Sequence, residues 1–259
     1  MSRIEQVFAD KNRKALIAYV TVGYPSIEAT LEIVPALVKS GCDIVELGIP
    51  FSDPLAEGPT IQQSSCEALQ QGVTPELCFE VVRKLRKRVD IPLIFMGYYN
   101  PVLHYGLEAF CTKCAEVGID GLIIPDLPPE EGAELEGLAQ ERGIDLIYLL
   151  APTSDDERIE LVAERARGFI YLVSLTGVTG ARDTLPEGLE NFVTKVRQKT
   201  RQPLCVGFGI STTEQAKRAA SVADGVIVGS RIINLIKEDA SLAKLKSFIR
   251  SSRTALQVS

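Results

Sequence analysis

Histidine occurs once in the 259 residues, at His104, and cysteine six times, at Cys42, Cys66, Cys78, Cys111, Cys114 and Cys205. A single imidazole leaves the ligand count short of a four-coordinate structural zinc site. No Ser or Cys nucleophile motif accompanies it, so His104 in "NPVLHYG" reads as a loop residue rather than a catalyst. Six cysteines are too sparse for a disulfide scaffold and read as reduced thiols. Cys111 and Cys114 form a C-x-x-C that could hold half a zinc site or a redox pair. With no second such pair, two thiols one helical turn apart on "LEAFCTKCAEVG" is the simpler reading, and no metal is expected. Long apolar runs are also missing: none approaches the ~18 residues of a membrane span. The N-terminus lacks a signal peptide's order of basic then apolar segments, so the cytoplasm is the expected location. Basic charge is not in excess either. A net charge of -6 and a pI near 5.1 disfavour a nucleic-acid or anionic-membrane binder. The run "RKLRKR" from Arg83 to Arg88 reads as a solvated helix face. Any phosphate site must therefore be built locally.

What remains is 46 % hydrophobic and 24 % charged, the balance of a folded globular chain. Eight short, β-rich apolar runs recur: residues 15–21, 43–48, 92–97, 120–125, 145–150, 168–173, 203–208 and 224–229. Their near-continuous hydrophobicity suits parallel strands covered on both faces. The stretches between them are long enough for crossover helices, and several announce their starts, at Ser26, at Thr74, and at Ser211 with Glu214 in a capping-box pattern. Glycines in "SGCDIVELG", "VGIDGLIIP" and "RGIDLIYLL" punctuate helix ends just before strands. No linker or low-complexity tract interrupts the rhythm. The expectation is an α/β chain forming one (β/α)8 TIM barrel over residues 1–259, with an extra N-terminal helix and a short phosphate-binding helix after the eighth strand. A doubly wound open sheet is the competing fold, but "VTVGYPS" after the first strand is not its G-x-G-x-x-G.

In a barrel, chemistry belongs at the C-terminal ends of the strands. Glu46 lies near the end of the second predicted strand, and Glu57 sits in the stiff loop "SDPLAEGP" that follows. The loops after the last two strands, "GFGIS" and "VGSRII", carry Gly209, Gly229 and Ser230. Each glycine could merely end its strand, but two at this pair of strand ends suit a phosphate site facing a helix N-terminus. "LTGVTGARDTLPEG", from Leu175 to Gly188, is longer than the two to six residues usual for such a loop. It reads as a lid with Gly180 near the phosphate, or else as a plain surface loop. Tyr19, Tyr98, Ile61, Leu149 and Tyr171 could line an apolar mouth for a flat aromatic group, or be barrel core.

"ELGIPFSDPLAEGPTIQ", "GYYNPVLHYG", "IPDLPPEE", "LVSLTGVTGAR" and "GFGISTTEQA" together resemble the α subunit family of tryptophan synthase, in order along nearly the whole chain. The resemblance implies a lyase that cleaves indole-3-glycerol phosphate to indole and glyceraldehyde 3-phosphate without metal or organic cofactor. It implies a β subunit partner in an α2β2 heterotetramer, with pyridoxal phosphate only in β. Glu46 would be the general acid and base, and Glu57 would hold the ring N–H where the family pattern has Asp, a change that keeps the charge but adds a rotatable torsion. Substrate contacts would extend to Thr21, Thr179 and Phe208, and Asp53, Pro54, Asn100 and Pro101 would face the partner. A different phosphosugar barrel enzyme, or a weakly catalytic subunit that activates a partner, are the alternatives.

Overall fold

Three aspartates stand just before strands, and each closes the same two-bond ring with a residue at the start of a neighbouring strand. The computed structural model describes residues 1–173, 188–207 and 209–257. In it the Asp43 N–H donates to the Leu16 carbonyl at 2.8 Å, and Asp43 Oδ2 accepts from Leu16 N at 2.8 Å. Asp120 repeats the ring with Leu93, and Asp224 with Leu204. An arginine then neutralises each carboxylate: Arg253 and Arg13 on Asp43, Arg86 and Arg3 on Asp120, Arg197 on Asp224. These clamps fix the stagger between neighbouring strands at the N-terminal end of the sheet.

The strands they tie are β1 (Ala15–Thr21), β2 (Ile44–Gly48), β3 (Leu93–Met96), β4 (Gly121–Ile123), β5 (Asp145–Ile147), β6 (Leu149–Leu150), β7 (Ile170–Val173), β8 (Leu204–Gly207) and β9 (Gly225–Val228). All pairs are parallel, in the order β5-β4-β3-β2-β1-β9-β8-β7-β6. The two ends of that order, β5 and β6, are separated in the chain only by Tyr148, so the sheet closes on itself as a barrel. The predicted strand 145–150 is thus a single staff of the barrel interrupted at one residue. Tyr148 turns its hydroxyl to Glu136 on the surrounding helix Ala133–Glu141, while its carbonyl still accepts from Tyr171 N at 3.0 Å.

Outside the strands lie α1 (Arg3–Val7), α2 (Ile27–Lys39), α3 (Pro59–Gln70), α4 (Pro75–Leu85), α5 (Tyr99–Tyr105), α6 (Leu107–Val117), α7 (Ala133–Glu141), α8 (Asp156–Arg165), α9 (Leu189–Arg197), α10 (Thr213–Val222), α11 (Ser230–Glu238) and α12 (Ala243–Gln257). The Ser26 and Thr74 side chains accept from the third helical N–H of α2 and α4, as predicted. The box predicted at Ser211 and Glu214 lies one residue later, at Thr212 and Gln215, because the Gln215 amide oxygen reaches back to both Ser211 N and Thr212 N. Gly118 ends α6 at φ 88°, a left-handed turn that a side chain would strain.

α1 is the predicted extra N-terminal helix, and it plugs the lower end of the barrel. Its Ile4 is fully buried, the Ser2 hydroxyl donates to Asp145 at 3.1 Å, and Arg3 reaches Asp120 at 3.0 Å. Two readings of the basic and polar runs are corrected here. Arg86 is not part of a solvated face: its guanidinium is 13 % exposed and bonds the Gly118 and Ile91 carbonyls as well as Asp120. "NPVLHYG" is not a loop but most of α5, started by Asp126 Oδ1 accepting from Tyr99 N at 2.9 Å, with His104 exposed in its last turn. Cys111 and Cys114 share the buried face of α6, where burial pushes the Cys111 thiol up to about 11. No described helix is long and apolar enough to cross a membrane.

Removing the Asp43 carboxylate strands Leu16 N and leaves the buried Arg253 guanidinium without its counter-charge. Asp43→Ala is expected to cost roughly 3–5 kcal/mol of stability, read as a lower urea midpoint with unchanged slope. A loss below about 1 kcal/mol would show that the clamp does not hold the barrel.

Candidate active site

Glu46 is the third residue of β2, paired in register with Tyr19 of β1 and Ile94 of β3. Its side chain is fully buried, and neither carboxylate oxygen has a hydrogen-bond partner among the described residues. Desolvation pushes its pKa from 4.5 up to about 8. At neutral pH this group therefore holds a proton that no described neighbour takes.

Glu57 arrives from the loop after β2. Its N–H donates to the Pro54 carbonyl at 3.1 Å, its carbonyl accepts from Gln62 Nε2 at 2.9 Å, and Gly58 and Pro59 then start α3, with proline in the first helical turn where no N–H is needed. The Tyr98 hydroxyl donates to Glu57 Oε2 and accepts from Ala56 N at 2.9 Å. Burial raises Glu57 to about 7, and the Tyr98 hydrogen bond opposes part of that rise. Two carboxyls in one cavity are thus both raised toward neutral pH by burial, and only Glu57 has a side-chain hydrogen bond opposing the rise.

The cavity holds about 380 Å³, room for a fused aromatic ring with a short phosphorylated chain. Tyr19, Ile61 and Tyr171 line it, as expected of an apolar mouth, together with Glu46, Glu57, Gly209, Gly229 and Ser230. Two strand glycines make room for the phenols: a Cβ on Gly48 would overlap the Tyr19 hydroxyl, and one on Gly207 the Tyr171 hydroxyl. Burial raises both phenol pKa values, and the charges of Glu46 and Glu57 add to the rise.

In the same cavity lining, α11 begins at Ser230 with no side-chain cap, so its first N–H groups stay open to an anion. The neighbouring α10, by contrast, is closed by its own Thr212 and Gln215. Gly209 takes φ 82°.

Three expected contacts lie elsewhere. Thr21 is buried against Ser64 at 2.6 Å and Tyr98 stands behind Glu57, while Leu149 packs on the barrel core; none lines the cavity. Thr179, Gly180, Phe208 and the lid reading of residues 175–187 fall outside the described residues. Asp53 and Asn100 are exposed and Pro54 and Pro101 half-buried, in the loop after β2 and the first turn of α5. The sequence reading missed Arg231, Asn234, Ser211 and Thr212, which also line the cavity. For Arg231 a signal was present, since it follows Ser230 at the helix start expected to face the phosphate.

A profile of the tryptophan synthase alpha chain family matches residues 6–256. The chain is 59 % identical to the tryptophan synthase alpha chain of Dehalococcoides mccartyi over 99 % of this chain and all of that one. Among solved structures it is similar to tryptophan synthase subunit alpha from Legionella pneumophila, at 39 % identity and TM-score 0.91 with both chains fully covered. It is also similar to a chain of Mycobacterium tuberculosis tryptophan synthase, at 37 % identity and TM-score 0.91, covering 99 % of this chain and 97 % of that one.

An unpartnered carboxyl in this site makes the stability of the fold depend on pH. The folded pKa of Glu46 is raised, so the folded state keeps a proton that the unfolded chain has lost. Stability therefore falls as pH rises from about 4.5 to about 8. At about 1.4 kcal/mol per pH unit, the deficit reaches several kcal/mol by pH 9. Glu46→Gln is expected to raise Tm by several degrees at pH 9 and to change it little at pH 5, measured by calorimetry at both values. An equal shift at both would locate the effect in packing rather than charge.

Proposed function

The chain belongs to the tryptophan synthase alpha chain family, and from that premise we propose how its cavity cleaves indole-3-glycerol phosphate to indole and glyceraldehyde 3-phosphate. It is a carbon–carbon lyase of tryptophan biosynthesis. Members of the family carry no cofactor, and pyridoxal phosphate belongs to the β subunit. The observation that carries the residue assignment is Glu46, fully buried in the cavity with both oxygens unpartnered.

In this reading residues 1–259 act as one barrel domain in the cytoplasm. The indole ring lies between Tyr19, Ile61 and Tyr171, and the phosphate meets the backbone at Gly209, Gly229 and Ser230. The protonated Glu46 delivers its proton to the ring carbon that bears the glycerol chain, and positive charge develops toward the ring nitrogen. Ionised Glu57 accepts the ring N–H and stabilises that charge. The bond between ring and chain then breaks, its electron pair restoring the aromatic ring. The adjoining chain hydroxyl becomes the aldehyde, and its proton passes to the Glu46 carboxylate, which is thereby reset. One carboxyl must be protonated and the other ionised, and the two environments supply that division.

The rate should follow it. Activity per free enzyme, kcat/KM for indole release, is expected to rise through about pH 7 as Glu57 ionises and to fall through about pH 8 as Glu46 loses its proton. Glu46→Gln is expected to abolish indole release while glycerol phosphate binding stays within a few-fold. Turnover above roughly a tenth of wild type would remove Glu46 from this role.

For the partner we propose the face that carries Asp53, Pro54, Asn100 and Pro101, docked by a β subunit in an α2β2 assembly. Two of the few exposed large hydrophobic side chains lie there, Leu55 at 89 % exposure and Leu103 at 53 %. Leu55 is two residues from Glu57, so a partner covering it bears on the loop that presents the second carboxylate. Docking that favours the productive loop raises the rate, and substrate tightens docking by the same factor. Leu55→Asp is expected to weaken β binding at least about tenfold and to lower β-stimulated indole release, leaving the activity of the lone chain close to wild type. Unchanged affinity for β would place the interface elsewhere.

A further inference from the structure

Among the described residues that line the cavity, Arg231 is the one basic residue, and the same lining includes Glu46 and Glu57. Its position is electrostatically odd. As the second residue of α11 it places a cation where the helix dipole favours an anion. Its present partners are weak: Glu238 Oε1 at 3.4 Å in an ion pair with side chains 33 % and 43 % exposed, and the face of Phe248 at 6.0 Å. Glu238 does not depend on Arg231, since Lys244 Nζ also approaches it, at 3.5 Å. The chain as a whole carries -6 and offers no general field to draw in an anion.

We propose that Arg231 exchanges Glu238 for the phosphate of the bound substrate, closing over it as a cationic arm that makes the cavity selective for phosphorylated over unphosphorylated indole compounds. The inference rests on the reading of the cavity given above. A phosphate at the open end of α11 reverses the dipole conflict, because the anion then lies between the free N–H groups and the guanidinium. The planar fork of Arg binds two phosphate oxygens at once. Phe248 guides the guanidinium while it is parked, and the exposed pair with Glu238 is cheap to break. The exchange acts on binding and leaves the proton chemistry of Glu46 and Glu57 alone.

The test is titration of glycerol 3-phosphate into the full chain, with steady-state kinetics of indole release in parallel. Arg231→Gln is expected to weaken glycerol 3-phosphate roughly tenfold or more, with KM rising by a similar factor and kcat within about threefold. Binding of indole itself should stay unchanged. Glu238→Gln, which frees the arm, is expected to tighten glycerol 3-phosphate by roughly two- to fivefold. An Arg231→Gln chain that binds glycerol 3-phosphate as well as wild type, or that loses indole equally, overturns the proposal, and an unchanged Glu238→Gln affinity overturns the exchange. A wild-type chain that neither binds glycerol 3-phosphate nor releases indole overturns the reading of the cavity itself, a result distinct from either.

Discussion

The ring of hydrogen bonds between an aspartate and a residue at the start of a neighbouring strand, made three times at the base of the sheet, sets the stagger on which the upper end depends. A parallel pair has no hairpin to fix its register, and a slip by one residue would turn every side chain to the other face. With Asp43 locked to Leu16, Tyr19 stands opposite Glu46 and Thr21 opposite Gly48. Glu46 then projects into the cavity, and Gly48 lies where the Tyr19 hydroxyl needs room. The base of the barrel is therefore where ion pairs and α1 are concentrated, and the mouth is left free of such pairing at Glu46.

That division has an energetic logic. Carboxylates at the base are met by arginines and backbone N–H groups, whereas Glu46 at the mouth has no hydrogen-bond partner among the described residues. A buried carboxyl without partners costs stability when charged, and the same isolation keeps its proton available near neutral pH. Glu57 differs in having a side-chain hydrogen bond. The Tyr98 hydroxyl favours its ionised form against burial, so the two acids separate in pKa although both are largely desolvated.

Tyr98 also joins two parts of the mouth. Its ring stacks on Phe51 at 5.0 Å and 25°, and its hydroxyl bonds both Ala56 N and Glu57. It directly precedes α5, whose outer surface bears Leu103, while the loop it holds bears Leu55. A contact on the exposed leucines is thus one residue layer from the second carboxylate, through packed atoms rather than through a distant relay.

Much of this was written locally. The eight apolar runs, the caps at Ser26 and Thr74, the glycine at the end of α6 and the placement of Glu46 at a strand end follow from periodicity and backbone chemistry, which act over a few residues. Runs that open with Asp, such as "DIVELG", "DGLIIP" and "DGVIVG", even carried the clamps without revealing them. What the chain alone did not disclose depends on residues that meet only after folding. Tyr98 lies 41 positions from Glu57, so its move from ring contact to carboxylate partner needed the barrel to bring β3 beside β2. Arg86 left the solvated face of its basic run because Asp120 arrives 34 positions later to receive it. Arg231 belonged to no reading of the chain until the closure of the sheet brought the start of α11 and the two glutamates into the lining of one cavity. Sequence by itself determined the repeating units and the residues able to do acid–base chemistry, because those are properties of short segments. The tertiary structure alone decided which charges face each other, because burial and pairing are properties of the closed barrel.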